Sequence, residues 1–151
     1  MKISQQNQLI SKRTKNILKK LDERGSSKNI NRVSVKILSA LKKGEVKVKD
    51  LGKLQAATHD EYTLLRGPGK YGERVLIRGT PNQVGIPEEY IQKEYVWSGH
   101  SHPDDTSPSQ YDRNALSAFA QEYSVIVSAC QSLESKYKKF DQIEDWSSWL
   151  P

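Results

Sequence analysis

YVWSGHSHPDDTSPSQYD, residues 95–112, decides how the chain is read. Tyr95-Val96-Trp97-Ser98 predicts a strand that runs straight into two of the chain's three histidines. In a strand, side chains two apart project from the same face, so His100 and His102 offer two imidazoles side by side. After the Asp-Asp-Thr-Ser-Pro loop, Ser107 is placed to cap a helix with Pro108 at its first position, where a missing N–H costs nothing. Ser109 and Asp112, three apart, then share a face of that helix. If the loop folds the helix back over the strand end, Asp112 becomes a third ligand. Two histidines, one carboxylate and an open position make a catalytic zinc arrangement.

Outward from this stretch, Glu61-Tyr-Thr-Leu-Leu-Arg66 predicts a strand ending at the turn Gly67-Pro68-Gly69, with Val75–Arg78 as its hairpin partner. Residues 86–94 predict a short helix with Pro87 in its first turn. The helix after Ser107 has Leu116, Phe119, Ala120 and Tyr123 as its expected buried face, and residues 124–129 predict a short buried strand. Towards the N-terminus, residues 8–22 predict an amphipathic helix with Ile10, Ile17, Leu18 and Leu21 on one side. Gly25-Ser26-Ser27 breaks it. A second helix is expected over Ile30–Lys43, striped by Val33, Ile37, Leu38 and Leu41 and stopped at Gly44. Helices first, then alternating strands and helices, give a mixed α and β fold: a basic helical extension over residues 1–50 and a mixed domain over 51–151.

Charge divides the chain in the same place. Residues 1–55 hold 15 Lys/Arg against 4 Asp/Glu, and residues 56–151 hold 9 against 14. The basic half is a solvated helical arm or an electrostatic contact for nucleic acid, an acidic membrane or an acidic partner. No aromatic residue precedes Tyr62, so that half has no base-stacking platform of its own. Cys130 is the single cysteine, which excludes an internal disulfide and a Cys-based zinc site within one chain. It is expected as a small core residue. No apolar run approaches the roughly 18 residues of a membrane span. Composition points to a cytoplasmic protein. Trp146, Trp149 and Leu150 leave the last twenty residues as either a docked tail or a protein contact.

Other metal chemistries fit less well. Metallo-β-lactamase-type hydrolases need His-x-His-x-Asp-His, and Asp105 stands where the next histidine belongs. Amidohydrolases begin with His-x-His but need a barrel of roughly 250 residues. A His-only site recruiting His59 would leave Ser109 and Asp112 without a role.

The stretch as a whole resembles the JAMM (MPN-type) metallopeptidases, whose signature is an upstream Glu, then His-Ser/Thr-His-Pro, a loop and Ser-x-x-Asp. Here the matching residues are His100, Ser101, His102, Pro103, Ser109 and Asp112, with Glu61 opening a Glu-x-x-x-Leu-Leu-x-Gly strand. The loop from Pro103 to Pro108 has six residues where the family usually has seven. The resemblance covers about residues 52–130 and implies a curved mixed sheet flanked by helices, of the cytidine-deaminase-like architecture. It implies one zinc held by His100, His102 and Asp112. Glu61 would be the general base and Ser109 the donor to the oxyanion, while Glu73, across the same hairpin, is the rival base. The implied activity is hydrolysis of a peptide or isopeptide bond, with ubiquitin or a ubiquitin-like tail as substrate class. The compact form is similar to bacterial members, including toxin and effector modules that are secreted, act in a target cell and meet an immunity protein. The alternative is a non-catalytic module of the same fold whose basic N-terminal residues bind nucleic acid or an acidic partner.

Overall fold

A computed structural model describes residues 10–129 and the strand at 134–138. The expectations for Cys130, Trp146, Trp149 and Leu150 lie outside these residues. In chain order the elements are α1 (Lys12–Arg24), β1 (Ser26–Ile30), β2 (Val33–Leu41), α2 (Val48–Thr58), β3 (Tyr62–Arg66), β4 (Arg74–Arg78), α3 (Glu88–Gln92), β5 (Val96–His102), α4 (Gln110–Ala118), β6 (Tyr123–Ser128) and β7 (Glu134–Lys138). The strands form one mixed sheet in the order β1-β2-β4-β3-β5-β6-β7. Every neighbouring pair is antiparallel except β5 and β6, which are parallel and joined by the crossover through α4. The chain is thus a mixed α/β fold with helices on both faces of its sheet.

Alternation along the central strands makes the two faces. Tyr62, Leu64 and Leu76 point to one side, where α1 and α2 cover them with Ile17, Leu21, Leu51 and Leu54. Leu65, Val75 and Ile77 point to the other, against Trp97, Ile126 and Leu116 of α4. Both faces are buried, as expected for a sheet covered on both sides. Among the described residues no helix is long and apolar enough to cross a membrane.

The helix expected over Ile30–Lys43 is instead the β1–β2 hairpin. Val33, Ile37, Leu38 and Leu41 have helical spacing, but Val35 and Ile37 are buried on one side while Ser34 and Lys36 are not, which is the period of a strand. The two-residue turn takes positive φ at both Asn31 and Arg32 (50° and 68°), the geometry whose twist matches a hairpin. Arginine in place of the usual glycine hid that turn. A bulge between Leu38 and Leu41, with Ala40 at φ 58°, brings Leu38 and Leu41 into the core and completes the mimicry of a helix. Residues 12–50 are therefore built into the same sheet and core as the rest, rather than standing apart as a helical extension.

Helix α2 was not foreseen from sequence. It begins where Asp50 Oδ2 accepts the Lys47 N–H at 2.7 Å and ends at His59, which closes it in the left-handed conformation. Gly52 lets this helix lie against the sheet, since a Cβ there would stand 2.6 Å from the Ser128 carbonyl oxygen. The strand foreseen at 95–98 continues as β5 to His102. The helix foreseen after Ser107 is capped by Ser109 instead. On α4's face Leu116 is buried and Phe119 partly so, whereas Ala120 and Tyr123 are exposed.

Candidate metal centre

Strand β5 carries the two histidines, and a bulge decides which way they face. In its pairing with β3, Trp97 stands opposite Leu65 and Gly99 opposite Leu64, leaving Ser98 as the extra residue. The shift puts Trp97, His100 and His102 on one side of the sheet, although 97 and 100 have opposite parity. The backbone at Trp97 is held by side chains: its N–H donates to Gln121 Oε1 at 2.6 Å, and its carbonyl accepts from Gln121 Nε2 and Ser124 Oγ, each at 3.0 Å. Trp97 then lies stacked on His100, with ring centroids 4.7 Å apart and planes 21° apart.

Helix α4 supplies the third group from the same side. Ser109 Oγ accepts the Asp112 N–H at 3.1 Å, and Asp112 Oδ2 accepts the Ser109 N–H at 2.9 Å. This reciprocal cap fixes the carboxylate at the helix start. His100 Nε2 lies 3.0 Å from Asp112 Oδ1 and His102 Nε2 lies 3.1 Å from Asp112 Oδ2, while the two Nε2 atoms are 3.0 Å apart. The expected ligand set His100, His102 and Asp112 is thus brought together, and among the described residues it is the one group that can hold a metal ion.

The donor chemistry fits an ion. Two neutral imidazoles bring at most two ring protons at these nitrogens, too few to give each of the three edges its own hydrogen bond. A single cation would satisfy all three donors at once. With ligand bonds of about 2.0–2.1 Å, a tetrahedral site has ligand–ligand edges of roughly 3.3 Å, close to those found. No cysteine is among the ligands, and His59 stands exposed at the end of α2, outside the cluster.

Burial and the carboxylate set the protonation of the cluster. Burial is the largest influence on Asp112 and would raise its carboxyl, but hydrogen bonds to His100 and His102 and the Ser109 N–H together hold it far below the usual carboxylate range. Burial likewise pulls His100 down, and Asp112 only partly offsets that. For His102 the downward pull of burial is outweighed by Asp112, then by Glu61 and Asp105, and its value is raised.

Glu61 sits immediately before β3, with its N–H donating to the Thr80 carbonyl at 2.9 Å and its own carbonyl accepting the Gly79 N–H at 2.8 Å. Its parity is that of Thr63 and Leu65, which is the side bearing the histidines. Burial pushes its carboxyl up to about 7; the Asp112 charge adds to the rise and His102 opposes it. Arg78, which stands opposite Tyr62, is engaged by Asp60 at 2.7 Å. Glu73 is occupied elsewhere: it accepts the Ala40 N–H and the Tyr95 hydroxyl, each at 2.8 Å.

Ser101 was noted from sequence only as part of the histidine motif. It is fully buried, and its Oγ accepts the Tyr62 N–H at 2.9 Å, tying the residue after Glu61 to the residue between the histidines. A serine flanked by two candidate ligands was the available signal. The contact of Trp97 with His100 depends on a bulge that no sequence pattern announces. Asp104, Asp105 and Tyr111 are exposed.

Compared with family models, curated proteins and solved structures, the chain matched none.

Proposed function

We propose that the chain is a zinc-dependent metallopeptidase of the JAMM type, hydrolysing a peptide or isopeptide bond, with a ubiquitin or ubiquitin-like tail as the substrate class. The observation that carries this reading is the convergence of two imidazole nitrogens and one carboxylate within 3.0–3.1 Å of each other, beside a glutamate whose carboxyl is lifted to about 7. His100, His102 and Asp112 would hold the zinc. When bound, the ion would supply Lewis-acid polarisation and lower the pKa of water from 15.7 towards about 7.

The remaining work belongs to the chain's own groups. Glu61, as carboxylate, takes a proton from the attacking water and returns it to the leaving amine, so one proton enters and leaves the carboxyl in each turnover. Ser109 Oγ receives a hydrogen bond from the Asp112 N–H, which leaves its hydroxyl proton to donate to the oxyanion. Trp97 and the Ser98 bulge keep His100 oriented, and Ser101 keeps Glu61 beside the cluster.

The test is metal analysis coupled to cleavage of ubiquitin chains. One zinc per chain is expected, and Glu61→Gln should retain that zinc while losing about 10²–10⁴-fold in rate. Failure to take up any metal at neutral pH with all three ligands intact would remove the proposal.

A further inference from the structure

At the end of the sheet away from Glu61, the β3–β4 turn, Gly67–Glu73, stands beside the end of β2. Between them lies an open groove of about 540 Å³ lined by Leu41, Lys42, Lys43, Lys70, Tyr71 and Arg74, with Ala40, Gly72 and Glu73 completing it. Four cations and one carboxylate face this space, and the carboxylate is already engaged by the Ala40 N–H and the Tyr95 hydroxyl. Lys42, Lys43 and Lys70 are exposed. Tyr71 is 90% exposed, and Lys70 Nζ lies 5.6 Å from its ring centroid.

A second basic groove, about 350 Å³, lies along α1 and is lined by Lys12, Arg13, Asn16, Ile17, Lys20 and Glu45. The 42–45 loop contributes to both grooves and is pinned from each side. Arg13 Nη2 donates to the Gly44 and Glu45 carbonyls at 2.8 and 3.2 Å, and Glu45 accepts the Lys42 N–H at 2.9 Å while pairing with Lys20 at 3.2 Å. A basic surface thus runs from α1 over a rigid loop to the hairpin tip, where it meets a solvent-facing aromatic ring. The basic part of the sequence has no aromatic residue of its own, and the fold supplies one from the β3–β4 hairpin.

We infer that this surface binds single-stranded nucleic acid, with Lys42, Lys43, Lys70 and Arg74 on the phosphates and Tyr71 stacked on an unpaired base. Arg13 and Lys20 of the second groove are paired with Asp50 and Glu45, so the phosphate contacts fall to the four cations of the hairpin groove. The exposed ring separates a single strand from the other polyanions: a duplex hides its base faces, and an acidic peptide has none to offer. The inference is independent of the peptidase reading, since none of these residues belongs to the metal cluster or its supports.

The test uses the full chain and a fluorescein-labelled twelve-nucleotide oligo-dT, read by anisotropy, with a twelve-base-pair duplex and a poly-glutamate peptide as competitors. Binding should weaken steeply with added salt, as phosphate contacts require. Tyr71→Ala should weaken it about tenfold, and the Lys42→Glu/Lys43→Glu pair by at least about tenfold. These side chains are exposed, so melting temperatures and zinc content should stay at wild-type values, which separates lost contact from lost fold. Absence of oligo-dT binding at low salt would overturn the inference. So would binding indifferent to Tyr71→Ala, or displaced as well by the duplex or by poly-glutamate as by oligo-dT, since those patterns assign the surface to a duplex or to an acidic protein. Any of these results would leave the peptidase proposal standing.

Discussion

The Tyr62 N–H donates to Ser101 Oγ at 2.9 Å, a bond between the residue that follows Glu61 and the residue that separates the two histidines. It crosses between β3 and β5 close to the Ser98 bulge, where the regular ladder is interrupted. Glu61 and the two histidines of the candidate metal cluster thus share one fastening.

Ser101→Ala should expose the value of that fastening. The Tyr62 N–H would be left buried without its acceptor, which costs about 1–3 kcal/mol. For a domain of this size that lowers the melting temperature by roughly 2–12 °C. Zinc uptake should persist while hydrolysis falls, because the ligands remain and Glu61 loses its anchor. A variant with unchanged melting temperature and unchanged rate would show that the bond matters to neither.

Metal should stabilise the fold measurably. A ligand that binds only the native state adds about 2.7 kcal/mol at a hundred times its dissociation constant, so zinc should raise the melting temperature and a chelator should reverse it. His102→Ala removes one of three donors and should abolish most of that shift. Calorimetry with and without zinc checks this. An equal shift in the variant would place the binding elsewhere.

The raised carboxyl of Glu61 predicts a pH-dependent cost in the metal-free protein. Unfolded, a glutamate titrates near 4.3; folded, this one titrates near 7. Its contribution to stability is therefore fully present below about 4.3 and is lost as pH rises through about 7. Glu61→Gln should be more stable than wild type at pH 8, by about 1–2 kcal/mol after allowing for solvent screening, and no more stable at pH 4. Denaturant titrations at the two pH values decide it, and the same difference at both would count against a raised carboxyl.

Asp50 makes the opposite prediction. Its side chain is 1% exposed, and it receives Arg13 Nη2 at 2.8 Å and the Lys47 N–H at 2.7 Å. Burial alone would raise it, yet these bonds hold it below its ordinary value. Stability from the pair is present above pH 4 and is lost as acid drives the folded carboxyl to protonate. Arg13→Met leaves the carboxylate with fewer partners and should cost about 2 kcal/mol at pH 7, less than a fully buried pair because Arg13 is 42% exposed. The penalty should shrink towards pH 3.

The cluster that could hold an ion was legible in the sequence because it is local: His100 and His102 share a strand face, and Asp112 rides on the next helix through a short loop. The β3–β4 hairpin was legible for the same reason, having Gly67-Pro68-Gly69 between alternating apolar residues. The β1–β2 hairpin was not, since its turn uses Asn31-Arg32 and its bulge at Ala40 spaces the buried residues like a helix. Helix α2 was missed because its buried face mixes Leu51 and Leu54 with Gly52 and Gln55, a weak stripe whose partner is a distant part of the sheet. Ser101 and the Ser98 bulge were beyond reach for a related reason: each matters through a neighbour about forty positions away in the chain or through a register shift. Neither leaves a trace in local spacing.

The six residues from Pro103 to Pro108 separate the candidate ligands into two groups on different elements, and Asp104, Asp105 and Ser107 within them are exposed. A single cut in this bridge would leave β5 and β6 hydrogen-bonded while detaching the carboxylate from any covalent link to the imidazoles. Only the pairing of β6 with β5 and the packing of α4 would then hold Asp112 opposite the imidazoles, so a cleaved chain tests how far the cluster depends on this bridge.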